Sequence, residues 1–249
     1  SFTDLNKTSE YTNNWTIPEK DKIALIYAVG AIMPGNSKPG PNGSSIMGDK
    51  TINKAIKSAR KDKDIKAIVL RIDSGGGSAL ASDNMWREIY RTTTEDSLNI
   101  KPFIASMSDV AASGGYYIAC EADSILADEA TITGSIGVIG IRMNFSQLMK
   151  RIGVNTDNIM FGKNADFGTG SRLVTDSERI RIQESINESY TEFKNKVEEG
   201  RYNINEGDDL DQVAMGRVFT GKTASNLDMF LVDKIGGLQD AIEVAKNTA

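Results

Sequence analysis

The 249-residue sequence contains no histidine. Without imidazole the chain cannot by itself run a Ser-His-Asp or Cys-His mechanism, and it cannot build a His-ligated zinc site. Any general base must then be Lys, Asp, Glu or Tyr. A single cysteine, Cys120, excludes an internal disulfide and forms no metal site alone. Basic charge is in deficit, with 29 Lys and Arg against 34 Asp and Glu and a net charge of -5. No positive field draws in nucleic acid, so nucleic-acid partners are not expected. No apolar run reaches the roughly 18 to 20 residues that cross a bilayer, and no charged-then-apolar leader opens the chain. The sequence begins Ser1-Phe2-Thr3 without Met, which leaves room for an upstream segment, an anchor included. What is present is ordinary for a globular chain: 39% hydrophobic and 25% charged residues, enough for a sizeable core and against disorder.

Residues 1–21 are polar with a few aromatics and read as an N-terminal strap ending near Pro18. One domain is expected over 22–249. Its opening run, Lys22 to Val29, is rich in strand formers and leads through Gly30 into a loop dense in Gly, Pro, Asn and Ser from Pro34 to Ser45. A helical pattern covers Asp49 to Lys61, and a second apolar run, Ala67 to Ile72, stops at Asp73-Ser-Gly-Gly-Gly-Ser78, with a helix after it. The alternation continues: Pro102 to Met107 as strand, Ala111 to Cys120 as helix, Ser124 to Ala127 and Ile136 to Ile141 as strands. Strand, glycine turn and helix in succession predict an α/β fold of parallel strands and crossover helices, with a helical C-terminal extension. Thr175-Asp-Ser-Glu178 has the pattern of a capping box, and Ile182, Ile186, Tyr190, Phe193 and Val197 behind it follow one helical face.

Two segments carry chemical possibilities. Consecutive glycines in Asp73-Ser-Gly-Gly-Gly-Ser78 let backbone N–H groups aim outward at an oxyanion or a phosphate. The segment lacks the Lys-[Ser/Thr] ending of a P-loop and does not fit G-x-G-x-x-G, so nucleotide binding is disfavoured and no cofactor is expected. It also reads as a plain strand-to-helix turn. In Met107-Ser-Asp-Val-Ala-Ala-Ser-Gly-Gly-Tyr-Tyr117, Ser113 would sit near the positive end of a helix, where neighbouring N–H groups could hold an anionic intermediate. By spacing alone, a helix N-cap is the favoured reading of Ser113, since Ser is a leading N-cap residue.

Four motifs in order, Arg71-Ile-Asp-Ser-Gly-Gly-Gly-Ser78, Ala111-Ala-Ser-Gly-Gly-Tyr116, Thr133-Gly-Ser-Ile-Gly-Val138 and Gly216-Arg-Val-Phe-Thr-Gly221, resemble the signal peptide peptidase A, or protease IV, family. The resemblance runs from about Lys22 to Ala245. It implies a Clp-protease/crotonase-like fold and a serine peptidase with a Ser-Lys dyad, acting on residual signal peptides at the membrane of the bacterial cell envelope. Carried onto this sequence, it implies Ser113 as nucleophile, Gly77 and Gly114 as oxyanion N–H donors, and Gly76 as support for the turn. A lysine base agrees with the missing histidine, provided burial lowers its pKa from about 10.4. The resemblance also implies peptide substrates, adding as strands beside the site, and oligomeric assembly.

The sequence departs from the family pattern at two points. Gly75 stands where the glycine turn usually has Pro, and Ala165 stands where short-form members carry the lysine. Lys163 lies two residues earlier, on the same side of an extended chain. In long-form members the C-terminal half supplies Ser and the N-terminal half supplies Lys. The preferred expectation is that this chain corresponds to such a C-terminal half, with the lysine brought by another half or chain; a Lys-to-Ala change at position 165 is the third option. Two rival functions share the fold, a crotonase-type acyl-CoA enzyme and a non-catalytic oligomerisation module. Cys120 reads as a small core residue, Trp86 and Tyr90 as core, and Asp73 and Asp109 as turn formers.

Overall fold

The main sheet is built on β5 (Ile65–Ser74), whose Ala67, Ile68, Val69 and Leu70 are all fully buried, as in a strand covered on both faces. On either side lie β1 (Lys22–Val29) and β6 (Phe103–Ala112), followed by β7 (Ser124–Ala127) and β10 (Lys234–Ile235), every pairing parallel. The computed structural model describes residues 21–249 apart from 158, 163–164, 203, 205–208 and 230. The N-terminal strap expected over 1–21 therefore lies outside the described residues, Asp21 excepted.

Side chains alternate across the sheet. Ile68, Leu70 and Ile72 join a large core with helices α1 (Asp49–Lys61) and α2 (Ala79–Tyr90). Helix α1 contributes Ile52, Ile56 and Ala59 at helical spacing, and α2 contributes Ala81, Met85, Trp86 and Ile89. Trp86 stacks on Tyr90 at 5.2 Å between ring centroids and is buried, as the four-residue spacing predicts. Ala67 and Val69 face the other way, with Ile104 and Leu126, against Ala241 and Ala245 of the C-terminal helix α7 (Leu238–Thr248).

The strand β6 changes partner along its length. Ile104–Ser106 pair with β7, whereas Val110–Ala112 pair with β8 (Ile132–Gly134), on which β9 (Val218–Thr220) closes antiparallel. Its register on β5 shifts between Ile72↔Met107 and Ser74↔Ala111, which inserts extra residues into β6 and re-aims its C-terminal end. Arg71 bridges the irregularity, donating to Ser106 Oγ at 2.8 Å, to the Met107 carbonyl at 2.8 Å and to Ser108 Oγ at 3.0 Å. A small second sheet, β2 (Ala31–Met33), β3 (Lys38–Pro39) and β4 (Ser45–Gly48), sits beside the glycine turn.

Two expectations need correction. The helix expected over Ala111–Cys120 is only the four-residue α3 (Gly114–Tyr117), because Ala111 and Ala112 pair with Thr133 and Gly134; sheet pairing overrides the helix preference of alanine. The stretch expected as a strand over Ile136–Ile141 forms none: β6 ends opposite Gly134, so residues beyond it have no neighbouring strand, and the Ile136 carbonyl accepts from Gly216 N–H instead. That stretch runs into a segment with the short helix α4 (Ser146–Arg151), which exposes Ile139, Ile141, Phe161 and Leu173. Helix α5 (Asp176–Gly200) follows, and its expected capping box is present: Glu178 N–H donates to Thr175 Oγ1 and Thr175 N–H to Glu178 Oε2. A short helix, α6 (Gly221–Ala224), follows β9.

Candidate active site

Ser113 stands between the end of β6 and the start of α3, at the C-terminal edge of the parallel strands, where ligands of open α/β sheets gather. Its backbone lies at φ 52°, ψ −120°, a conformation that costs a residue with a side chain of the order of 1–3 kcal/mol. Ser113 occupies the N-cap position of α3, as its spacing predicts, but its hydroxyl makes no capping hydrogen bond. The main chain holds the turn instead: Ser113 N–H donates to the Gly134 carbonyl at 3.0 Å, and its carbonyl accepts from Tyr117 N–H at 2.9 Å. Such a sharp strand-to-helix turn pushes the Oγ outward, as in nucleophile elbows.

The glycine turn packs directly under it. Gly76 has φ +93°, and a Cβ there would meet Gly114 N at 2.6 Å and Ser113 Cβ at 3.0 Å. At Gly77 a Cβ would lie 2.1 Å from the Ile32 carbonyl oxygen. The turn is fastened to β2 by Ile32 N–H donating to the Gly76 carbonyl and Ser78 N–H to the Ile32 carbonyl, at 3.0 and 2.9 Å. The Ser74 hydroxyl donates to the Gly30 carbonyl at 2.6 Å and accepts from Gly76 N–H at 3.1 Å. Among the described residues these bonds leave the N–H groups of Gly77 and Gly114 without an internal partner. The structure thus brings Ser113, Gly77 and Gly114 together, with Gly76 as the contact between the two turns.

All four sequence motifs meet here. Thr133 Oγ1 donates to the Ala111 carbonyl at 2.8 Å, Ser135 N–H to the Arg217 carbonyl at 2.6 Å, and Gly216 N–H to the Ile136 carbonyl at 2.9 Å. Two cavities open beside Ser113 and share Gly137, Val138 and Ile139 as wall. The smaller, about 120 Å³, is floored by Ala79, Ser82, Tyr117 and Phe193. The larger, about 580 Å³, lies between Ser135, Met215 and Gly216 on one side and Gln183, Ile186, Asn187 and Tyr190 of α5 on the other. Sequence reasoning missed the α5 contribution, although the helical face it identified, with Ile186, Tyr190 and Phe193, carries these residues.

No lysine among the described residues lines either cavity. Ala165 is exposed, and Lys163 lies outside the described residues. Burial does push one amine down, that of Lys101, which donates to the Ala59 and Asp62 carbonyls. Lys101 precedes β6 and Ser113 follows it, a separation on the order of 30–40 Å along an extended chain. Lys101 therefore does not serve Ser113. Asp73, expected as a turn former, lies near the end of β5, and its carboxylate accepts from Val110 N–H of β6 at 3.3 Å. Cys120 is buried, and burial pushes its thiol well above the ordinary range.

Comparison with known proteins follows the same residues. The profile of peptidase family S49 matches residues 95–249. The chloroplastic serine protease SPPA of Arabidopsis thaliana is 42% identical over 92% of this chain and 33% of its own length. Protease 4 of Salmonella typhi is 37% identical over 91% of this chain and 34% of its own. A putative protease of Synechocystis sp. is 35% identical over 92% of this chain and 75% of its own. The chain thus spans about a third of the length of the first two.

Proposed function

The chain belongs to peptidase family S49, and we propose that it supplies the nucleophile and the oxyanion site of a serine endopeptidase whose general base comes from another half or chain. One observation carries the reading: a strained, half-buried serine at the junction of two cavities, with two unpaired glycine N–H groups in the turns that meet beside it. Ser113 Oγ attacks the peptide carbonyl carbon as a neutral lysine amine takes its proton. The carbonyl oxygen, now negative, receives hydrogen bonds from Gly77 and Gly114. Collapse breaks the C–N bond, the ammonium returns its proton to the leaving amine, and water hydrolyses the acyl ester. No cofactor enters these steps.

Substrates are extended apolar peptides, signal peptides among them. The Gly137–Ile139 backbone along both cavities supports binding by strand addition, because it offers main-chain donors and acceptors without a partner among the described residues. The absence of lysine from the cavities among the described residues favours the C-terminal-half reading, as does the one-third coverage of the longer relatives. The exposed apolar side chains between Ile139 and Leu173 support assembly with a further half or copy, because covering them would remove apolar surface from water. No helix among the described residues is long and apolar enough to cross a membrane, so action at a membrane of the cell envelope rests on the family resemblance.

A fluorophosphonate probe and a fluorogenic apolar peptide applied to the full-length protein test the reading. Labelling and hydrolysis are expected in the unsubstituted protein and absent from Ser113→Ala. Persistent hydrolysis in Ser113→Ala, or binding of acyl-CoA without labelling, would favour the crotonase-type alternative. Inactivity of the full-length protein would favour the non-catalytic module. Lys163→Ala separates the two sources of the base: unchanged activity is expected when the lysine comes from elsewhere.

A further inference from the structure

The wall of the larger cavity opposite α5 is a turn under strain. Met215 has φ +56° and Gly216 φ +71°, so two consecutive residues are left-handed and only the second is a glycine. The Met215 side chain is 65% exposed, so no burial of that side chain pulls its backbone into this shape. The turn is closed by Arg217 N–H donating to the Ala214 carbonyl at 3.2 Å, and α5 adds a hydrogen bond at the strained residue itself, across 25 residues of sequence: the Met215 N–H donates to Tyr190 Oη at 3.0 Å. The Tyr190 hydroxyl in turn donates to Asp211 Oδ1 at 2.7 Å, and Lys194 Nζ donates to the same oxygen at 3.0 Å. Asp211 starts the segment whose far end supplies Gly216 N–H to the Ile136 carbonyl and the Arg217 carbonyl to Ser135 N–H. Tyr190, Met215, Gly216, Ser135 and Ser113 all line the one cavity.

We propose that Tyr190 is a positioning residue: its hydroxyl pins the Met215–Gly216 turn to α5, sets the width of the larger cavity, and so determines which substrate side chains that cavity admits. The inference rests on the peptidase reading above, because it assumes that the cavity beside Ser113 receives peptide. It also yields a readout that simple packing of the tyrosine ring does not. Tyr190→Phe keeps the ring and leaves the Met215 N–H unpaired, which removes the tie to α5 and weakens the hold on the left-handed residue. Glycine at 215 adopts that region without the latch.

Binding of fluorescein-labelled pentaalanine and pentaleucine to the chain carrying Ser113→Ala, followed by anisotropy, tests this without needing a general base. Tyr190→Phe is expected to weaken the better of the two peptides about three- to tenfold and to move the ratio of the two affinities toward one. Adding Met215→Gly to Tyr190→Phe is expected to restore most of that ratio, measured against Met215→Gly alone. Binding unchanged by Tyr190→Phe, or a loss that Met215→Gly does not recover, would overturn the latch while leaving the peptide site standing. Failure of the chain with Tyr190 intact to bind either peptide would overturn the reading of the cleft, and the latch with it.

Discussion

Replacing Ser113 by glycine should make the protein more stable than replacing it by alanine, although glycine ordinarily weakens a fold. Both substitutions remove the same hydroxyl, which makes no capping hydrogen bond, so the comparison isolates the backbone. At φ 52°, ψ −120° a Cβ costs of the order of 1–3 kcal/mol, and glycine escapes that cost. Against it stands the greater freedom of glycine in the unfolded chain, about 0.4–1 kcal/mol. The difference favours Ser113→Gly by about 1 kcal/mol, or about 2–4 °C in Tm for a chain of this size. Urea denaturation of the two variants side by side, with equal m-values, measures it. Equal stability, or Ser113→Ala the more stable, would refute the claim that the turn stores strain at the nucleophile. The main-chain bonds to Gly134 and Tyr117 hold Ser113 in this conformation at the edge of both cavities.

Three further outcomes are expected. Gly77→Ala places a methyl 2.1 Å from the Ile32 oxygen, so it should destabilise by about 1–3 kcal/mol and abolish labelling of Ser113 in the full-length protein; unaltered stability and labelling would contradict the described packing. The bidentate Arg172 guanidinium, with Thr175 N–H, holds the Glu178 carboxyl down from 4.5 to about 2. Its contribution is therefore complete above pH 4.5 and lost as pH falls through about 2, which an NMR titration of Glu178 reads directly; a midpoint near 4.5 would refute the pairing. The Cys120 thiol, buried and held protonated by its surroundings, should resist thiol reagents at pH 8 in the folded protein and react at once in denaturant; rapid native labelling would overturn its placement.

Much of the fold was legible because local pattern and final environment agree. The strand Lys22–Val29 and the helix Asp49–Lys61 have the bounds that their apolar spacing indicates, and the capping box at Thr175 starts α5 where the Thr and Glu pair predicts. The glycine run after Asp73 allows close backbone approach, and Gly76 and Gly77 do lie close against Ser113, Gly114 and Ile32. The failures occurred where partners distant in sequence decide. Ala111 and Ala112 are good helix formers, yet β8 pairs with them and makes them strand. Ile136–Ile141 has strand composition but stands where β6 has already ended, so it gains no strand neighbour, and its Ile136 carbonyl is taken instead by Gly216 N–H.

By itself, then, the sequence determined the chemistry on offer. It has no imidazole, one serine set between alanines and glycines, and glycine runs at the ends of strands, features that depend only on residue identity and short-range geometry. Tertiary structure decided what those residues became. The strained φ of Ser113 arises because β8 and α3 grip both sides of one residue, and the free N–H groups exist because β2 consumes the bonds on either side of Gly77. The larger cavity is set by a tyrosine and a turn 25 residues apart that meet only after α5 has docked. Each depends on contacts between segments far apart in the chain, which no local pattern encodes.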